Sequence, residues 1–288
     1  MSKPSTKKQK KKKETDYWDG IWLQESILKQ LNFLRRIIFL YLEVTGLLSS
    51  FINKYQKKDK QYSFIELGCG GSSYLPYLAK KYNNLQLFGV DKSLMGCKLA
   101  VTGIDGGLTK VQVVQGDVLQ CPLRSENFDI VFSLGLIEHF DDPDKILKKH
   151  VDLLKPGGLL ICIVPNVVGI QGKFLGLKLW YPKEIPKKYQ KGWIWGMRFI
   201  SIKNLETWLA DFGLKEINVK PTGGIYPFLI MESYRSENLP LSFKLFYFIY
   251  RYLLFLPSIV INIPFLFRLN SQSFSPFFIA VGIKNNKK

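Results

Sequence analysis

Three stretches of this chain carry residue types that could hold a nucleoside-like ligand. In the turn 66–70, Glu-Leu-Gly-Cys-Gly, Gly68 and Gly70 allow the backbone to bend sharply and to approach a ligand closely. Asp91 directly follows an apolar run, and its carboxylate can accept hydrogen bonds from both hydroxyl groups of a ribose. Asp117 occupies a similar place further along, where a carboxylate can accept from the exocyclic amine of adenine.

The elements that must position these residues are short apolar runs, which alternate with helical patterns. This alternation predicts parallel β-α-β units with right-handed crossovers, and an open sheet of that kind binds ligands at the carboxyl ends of its strands. The three stretches follow the first three runs and should therefore meet at one edge. The predicted strands are Ser63–Leu67, Leu85–Val90, Lys110–Gln115, Phe128–Ser133, Leu159–Val164, Leu214–Lys220 and Phe277–Lys284.

Several motifs in order resemble the class I S-adenosylmethionine-dependent methyltransferases, over about Ser63 to Asn166. The segment Leu136–Phe140 is similar to the small-molecule branch, which includes O-methyltransferases of quinone biosynthesis. The residues that carry the resemblance are Glu66–Gly70, Val90–Asp91, Gly116–Asp117, Phe128–Val131 and Leu154–Gly158.

The resemblance implies an α/β fold with a doubly wound, seven-stranded, mostly parallel, Rossmann-like sheet whose last strand is antiparallel. We expect an N-terminal helix and an apolar insertion before that last strand. The implied cofactor is S-adenosyl-L-methionine, with Leu134 offering its backbone carbonyl to the cofactor's amino group and Val118 lying against adenine. The expected cofactor-binding residues are Glu66, Gly68, Cys69, Gly70, Asp91, Lys92, Asp117, Val118, Leu134 and, closing over the site, Tyr17.

One rival and one departure bear on this interpretation. A dinucleotide-binding fold with the pattern G-x-G-x-x-G would need its third glycine at Ser73, and Asp91 fits both readings. Asp117 and the turn at Pro156-Gly157-Gly158 favour the methyltransferase. Many relatives carry a third glycine at the position of Ser72, where serine keeps the turn short and can donate a hydrogen bond.

His139 is the best candidate for a catalytic base. It follows the fourth strand, where a methyl acceptor should lie, and imidazole titrates near neutral pH. A structural histidine at a helix start is the favoured alternative. Glu138 is a weaker candidate, and His150, beside two lysines, should face solvent. The four cysteines contain no C-x-x-C pair, so we expect no metal.

Length and charge suggest how the chain is organised. Residues 1–16 form a Lys-rich tail that we expect to be disordered, and 17–60 a helical cap. The methyltransferase domain should span 61–288, with insertions at about 167–202 and 221–276. The net charge of +18 favours partners with fixed phosphates, either an anionic membrane surface or nucleic acid.

Aromatic and apolar residues fill the two insertions. The cluster Trp180, Tyr181, Trp193 and Trp195 could line a substrate pocket or form a belt at a membrane interface. The segment Phe243–Phe267 is intensely apolar but broken by prolines, so a buried lid and a monotopic membrane anchor are equal alternatives.

The sequence therefore predicts methyl transfer to a hydrophobic small molecule or lipid-like acceptor, with oxygen as the favoured atom. We expect a cytoplasmic enzyme at or near the inner face of a membrane, with peripheral membrane association. The alternatives are an RNA methyltransferase and a cofactor-binding interaction protein without catalysis. Nucleic acid is disfavoured because Ser133–Leu136 lacks the Asn/Asp-Pro-Pro-Tyr motif of enzymes that methylate base amines.

Overall fold

A computed structural model gives the fold and the environment of the predicted site. Trp180, Tyr181, Trp195 and Phe243–Phe267 lie outside the described residues, and so does most of the Lys-rich tail. The structure describes residues 15–20, 22–23, 41–57, 60–101, 111–166, 193–194, 197–198, 200–223, 270–273, 275 and 277–286.

Seven strands form one sheet in the order β3-β2-β1-β4-β5-β7-β6, so the predicted seven-stranded, mostly parallel sheet is confirmed. The first five strands are parallel neighbours, and β7 lies antiparallel between β5 and β6. The strands are β1 Tyr62–Leu67, β2 Leu85–Asp91, β3 Val111–Gln115, β4 Phe128–Leu134, β5 Leu154–Pro165, β6 Leu214–Thr222 and β7 Phe277–Lys284. All seven predicted strands are present.

Helices cover both faces of the sheet, which explains why its central strands are almost continuously apolar. The helices are α1 Leu42–Tyr55, α2 Tyr74–Lys81, α3 Leu94–Val101, α4 Pro143–Leu153 and α5 Ile202–Asp211. Leu48 of α1 and Leu75 of α2 pack with Phe64 and Phe132 on one face. The opposite face is covered by α4 and α5.

The start of β5 differs from the prediction. A turn at Pro156-Gly157-Gly158 and a strand beginning at Leu159 were predicted, but the chain is already extended from Leu154, which pairs with Phe128. The register shifts between Phe128 and Ile130, and Gly157 has a φ of +76°. The glycines thus accommodate an irregularity at the beginning of a strand, where the ladder is not yet regular.

The prediction that His150 faces solvent is wrong. Its ring is fully buried, with Nδ1 2.7 Å from the Ile146 carbonyl oxygen and Nε2 2.9 Å from Ser133 Oγ. Because a carbonyl only accepts, Nδ1 carries the proton and Nε2 accepts from Ser133. Burial lowers the pKa of His150 to about 4, so the ring is neutral at pH 7 and links α4 to β4.

Among the described residues, no helix is both long enough and apolar enough to cross a membrane. The same residues contain no cluster of three or more histidine, cysteine or acidic side chains that could hold a metal ion. The four cysteines are free thiols.

Candidate functional site

The glycine-rich turn after β1 is fixed to the end of β2. The Gly68 amide donates to the Val90 carbonyl at 2.8 Å, and the Gly70 amide donates to Asp91 Oδ2 at 2.7 Å. Gly68 and Gly70 have φ values of +66° and +44°, which side chains rarely adopt. A Cβ on Gly68 would also lie 2.6 Å from Leu136 Cδ1. The turn therefore needs glycine at both positions and is held close to Asp91.

Asp91 lies at the carboxyl end of β2, where the prediction placed it. Its Oδ1 accepts from the Ser93 amide at 2.7 Å, in addition to the bond from Gly70. Burial raises the pKa of Asp91 and the charge of Asp19 adds to this, whereas the amide hydrogen bonds oppose it. Asp91 is thus a nearly buried carboxylate of fixed orientation with remaining acceptor capacity.

Glu66 and Ser72 stabilise the turn from inside. Ser72 Oγ donates to Glu66 Oε2 at 2.6 Å and accepts from the amides of Tyr74 and Leu75 at 3.0 and 3.1 Å. Burial raises the pKa of Glu66 to about 8. Ser72, where relatives carry glycine, therefore joins the turn to the first amides of α2. Cys69 is also buried, and its thiol is hydrogen-bonded to Cys97.

The end of β3 brings the residues predicted for adenine next to those predicted for ribose. The Gly116 amide donates to the Asp91 carbonyl at 2.7 Å, which ties the two strand ends together. Asp117 Oδ1 accepts from the Leu119 amide at 3.0 Å, and its Oδ2 lies 3.6 Å from Lys92 Nζ. Val118 is buried beside them, so three predicted residues lie together at this edge.

The segment after β4 places His139 and Glu138 on the other side of the turn. Leu134 ends β4, and residues Ile137–His139 form a single 3₁₀ turn. The Glu138 carboxylate is 3% exposed, and its Oε1 lies 3.8 Å from Nε2 of His139, whose side chain is 24% exposed. Burial raises the pKa of Glu138 to about 8. No hydrogen-bond partner for Glu138 Oε2 occurs among the described residues.

Aromatic residues from the N-terminus reach the same place. The Trp18 ring packs edge-on against His139, with ring centroids 5.0 Å apart, and Tyr17 packs against Trp18 at 5.3 Å. Tyr17 itself is 56% exposed. Tyr17 was predicted for this edge of the sheet, but Asp19 and Trp22, which touch α3 and the glycine-rich turn, were not. The only signal for them was the short cluster Tyr-Trp-Asp-Gly-Ile-Trp at residues 17–22.

One of the predicted substrate residues belongs to a short hairpin beside this region. Trp193 and Ile194 pair with Arg198 and Met197 in antiparallel fashion. Arg198 Nη2 lies 3.7 Å from Asp141 Oδ1, just beyond the 3₁₀ turn. The hairpin that carries Trp193 is therefore next to His139, and the other three aromatic residues of that prediction lie outside the described residues.

The sheet order and the antiparallel β7 are those of a Rossmann-like methyltransferase fold. Residues 65–162 match the family described as "Methyltransferase domain". The sequence-based prediction of this class is confirmed, and apart from Tyr17 the predicted residues of the cofactor site lie within the matched segment.

Curated relatives and solved structures agree with this class. Ubiquinone biosynthesis O-methyltransferase of Parvibaculum lavamentivorans is 27% identical over 165 residues, which are 53% of this chain and 58% of that protein. Demethylmenaquinone methyltransferase of Bacillus pumilus is 25% identical over 186 residues, 60% of this chain and 79% of that protein. The chain thus spans little more than half the length of the first relative.

Two crystal structures show the same fold at low sequence identity. A Thermotoga maritima S-adenosylmethionine-dependent methyltransferase, described as a possible histamine N-methyltransferase, has a TM-score of 0.55 and 19% identity, covering 93% of this chain and 100% of that chain. Haemonchus contortus phosphoethanolamine N-methyltransferase 2, in complex with S-adenosyl-L-methionine, has a TM-score of 0.52 and 19% identity, covering 84% and 53%. The predicted cofactor is confirmed at the level of this fold family.

Proposed function

We propose that this protein transfers a methyl group from S-adenosyl-L-methionine to a small apolar acceptor. The observation that carries the proposal is the bond from the Gly70 amide to Asp91 Oδ2. This bond joins the turn expected to face the methionine part of the cofactor to the carboxylate expected to hold its ribose. The two groups lie at the carboxyl ends of neighbouring strands, inside the segment that matches a methyltransferase domain. Open sheets of this kind bind ligands there, which supports the proposal.

The side chains of this edge offer hydrogen-bond acceptors and an apolar contact that suit the cofactor. Asp91 would accept from the ribose hydroxyls, Asp117 from the adenine amine, and Val118 would lie against the ring. The bound cofactor supplies the methyl group on a sulfonium, and the protein contributes orientation and exclusion of water. The absence of a Cβ at Gly68 and Gly70 lets their backbone pack closely against Leu136 and Trp22.

His139 would take the proton from the acceptor at one of its ring nitrogens. It lies beside the cofactor edge and is partly exposed, so an acceptor can reach it. Glu138 beside it is largely neutral at pH 7, and an imidazolium at His139 would favour its ionisation. Since a base helps with a hydroxyl but is unnecessary for a carboxylate, oxygen of a hydroxyl or phenol is the proposed methyl acceptor.

The proposal of an apolar acceptor is supported by the surroundings of His139 and by the relatives. Trp18 packs on His139, and the hairpin containing Trp193 lies alongside. Two of the relatives are named for ubiquinone and menaquinone biosynthesis. The net charge of +18 and the apolar segment Phe243–Phe267 support peripheral association with an anionic membrane, from which such an acceptor would arrive.

The first test is calorimetric titration with S-adenosylhomocysteine of the wild-type protein and of Asp91→Ala. We expect micromolar binding by the wild type and a roughly 10- to 100-fold loss in the variant, the effect of losing hydrogen bonds to a charged group. Asp152→Ala, a change at a half-buried position near the end of α4, is the control and should bind as the wild type does. Absence of binding by a folded wild-type protein would refute the methyltransferase proposal.

The acceptor is tested separately, once cofactor binding is shown. Transfer of labelled methyl groups to apolar phenols and to matched carboxylates would separate oxygen nucleophiles that need a base from those that do not.

Flotation with vesicles of phosphatidylglycerol and phosphatidylcholine tests membrane association. Salt-sensitive methylation of RNA with no transfer to small molecules would favour the RNA alternative instead.

A further inference from the structure

The N-terminal residues 15–20 and 22–23, here called the N-terminal clasp, cross the carboxyl edge of the sheet. They contact the glycine-rich turn, the start of α3 and the 3₁₀ turn after β4. These three places belong to the two sides of the proposed site, the cofactor side and the acceptor side. The clasp therefore spans the site, although it lies about forty residues before β1.

Trp22 occupies a seat made of glycines. A Cβ on Gly70 would lie 1.8 Å from Trp22 Cζ2, and one on Gly71 would lie 3.2 Å from Trp22 Cε3. A Cβ on Gly96, in α3, would lie 3.1 Å from Trp22 Cδ1 and 2.9 Å from the Cα of Gly70. The indole thus packs directly on backbone at Gly70, the residue whose amide holds Asp91.

Asp19 fixes the start of α3, which is the other support of Asp91. Its Oδ1 accepts from the hydroxyl of Ser93 and, at 3.1 Å, from the amide of Met95. Ser93 is fully buried, its amide donates to Asp91 Oδ1, and its hydroxyl oxygen accepts from the Gly96 amide at 2.9 Å. Asp19 is therefore one hydrogen-bonded residue away from the predicted ribose carboxylate.

Both oxygens of Asp91 are thus held by groups that the clasp supports. Oδ2 is bound by the amide of Gly70, under Trp22, and Oδ1 by the amide of Ser93, beside Asp19. Trp18, at the other end, packs on His139. Leu23, in the same segment, is 49% exposed, so the clasp does not simply bury its apolar side chains. Its contacts converge on the surroundings of Asp91 instead.

We propose that Trp22 and Asp19 are positioning residues, which hold the glycine-rich turn and the start of α3 in the arrangement that binds the cofactor. This inference rests on the proposed function and adds to it two residues that act through the glycine-rich turn and through Ser93. In this arrangement, the N-terminal clasp is part of the cofactor site.

The test compares Trp22→Ala, Trp22→Phe and Trp208→Ala by titration with S-adenosylhomocysteine, at a temperature where all are folded. Trp22→Ala should weaken binding about 10-fold, and Trp22→Phe should restore most of it because a ring again covers Gly70. Trp208→Ala removes an indole of α5 that packs in the core, and should lower the melting temperature without changing the affinity.

A kinetic measurement separates positioning from simple stability. With a methyl acceptor in hand, Trp22→Ala should raise the KM for S-adenosylmethionine and leave kcat within about twofold at saturating cofactor. If Trp22→Ala fails to fold, Asp19→Ala provides the same comparison, because it acts on Ser93 and not on the indole seat. Wild-type affinity in the folded variants would overturn the proposal, whereas absence of binding by the wild type itself would overturn the proposed function.

Discussion

Buried acidic groups have pKa values shifted in opposite directions at the two edges of the sheet. At the amino edge, Asp129 receives bonds from the Ser63 amide and hydroxyl at 2.9 and 2.8 Å, and from Lys155 Nζ at 2.6 Å. Burial works against its ionisation, but these bonds outweigh it and lower the pKa of Asp129. This carboxylate is charged and fully used in joining β1, β4 and β5.

At the carboxyl edge, three acidic groups have raised pKa values. Burial is the largest cause for Glu66, Asp91 and Glu138 alike. In the part of the chain that the structure describes, Glu138 Oε2 has no hydrogen-bond partner. Acidic groups whose pKa values are raised by burial are typical of functional sites, because a bound cation can stabilise their ionised forms. One edge thus stabilises the fold, and the other retains capacity for a cationic cofactor.

The largest effect that tests this contrast between the two edges is a pH-dependent change in stability at Glu138. Its folded pKa of about 8 lies above the ordinary 4.5, so its contribution to stability is present below pH 4.5 and is lost as pH rises through 8. Relative to Glu138→Gln, which does not titrate, the wild type should lose roughly 3 kcal/mol between pH 5 and pH 8. Urea unfolding at several pH values measures this difference.

The exposed change Glu206→Gln, on α5, keeps Glu138 and is the control, so it should lose stability with rising pH as the wild type does. An equal pH dependence in wild type and Glu138→Gln would mean that Glu138 is paired in solution. The contrast between the two edges would then no longer hold at this residue.

A smaller effect of opposite direction is expected at Asp129. Because Lys155 is 40% exposed, its ion pair adds little, and most of the loss in Asp129→Ala comes from the Ser63 bonds. We expect a loss of about 2 kcal/mol at pH 7. Since the folded pKa is lowered, this stability should be present above pH 4 and decline as the pH falls further.

Affinity for S-adenosylhomocysteine distinguishes the edges in the same variant. Asp129→Ala should bind the cofactor product as the wild type does, as long as it remains folded, whereas Asp91→Ala should not. A marked loss of affinity in Asp129→Ala would show that the amino edge is coupled to the site and would contradict the division of roles proposed here.

Much of the carboxyl edge was predictable because it depends on local sequence. The central strands β1, β4 and β5 are mostly buried and largely apolar. Asp91 ends β2, and Asp117 comes shortly after β3. Gly68 and Gly70 indicate a backbone with positive φ, a conformation that other residues rarely adopt. Such features need only neighbouring residues, so one sequence is sufficient to find them.

Features set by distant contacts were missed or predicted wrongly. Trp22 and Asp19 acquire their roles from Gly70 and Ser93, far along the chain, and nothing local indicates the pairing. His150 is different, because the period of α4 already placed it one turn after Ile146, on the buried face. Its lysine neighbours suggested solvent, but the helical period determined its position.

The smallest expected effect compares two glycines inside helices. Gly46 lies in α1, is exposed, and a Cβ there would meet nothing within 4 Å. Gly46→Ala should therefore raise the free energy of unfolding by about 1 kcal/mol, the usual gain in helix propensity, and leave S-adenosylhomocysteine binding unchanged. Thermal and urea unfolding measure the first quantity, and calorimetry the second.

Gly96→Ala makes the same chemical change in α3, at the carboxyl edge, and should have the opposite result. The new Cβ would lie 2.9 Å from the Cα of Gly70, a backbone atom that cannot move away without shifting the turn and Trp22. The clash should outweigh the helix-propensity gain and weaken cofactor binding. If Gly96→Ala stabilised the protein as Gly46→Ala does and kept wild-type affinity, the close packing of α3, Trp22 and the glycine-rich turn would not be required for binding.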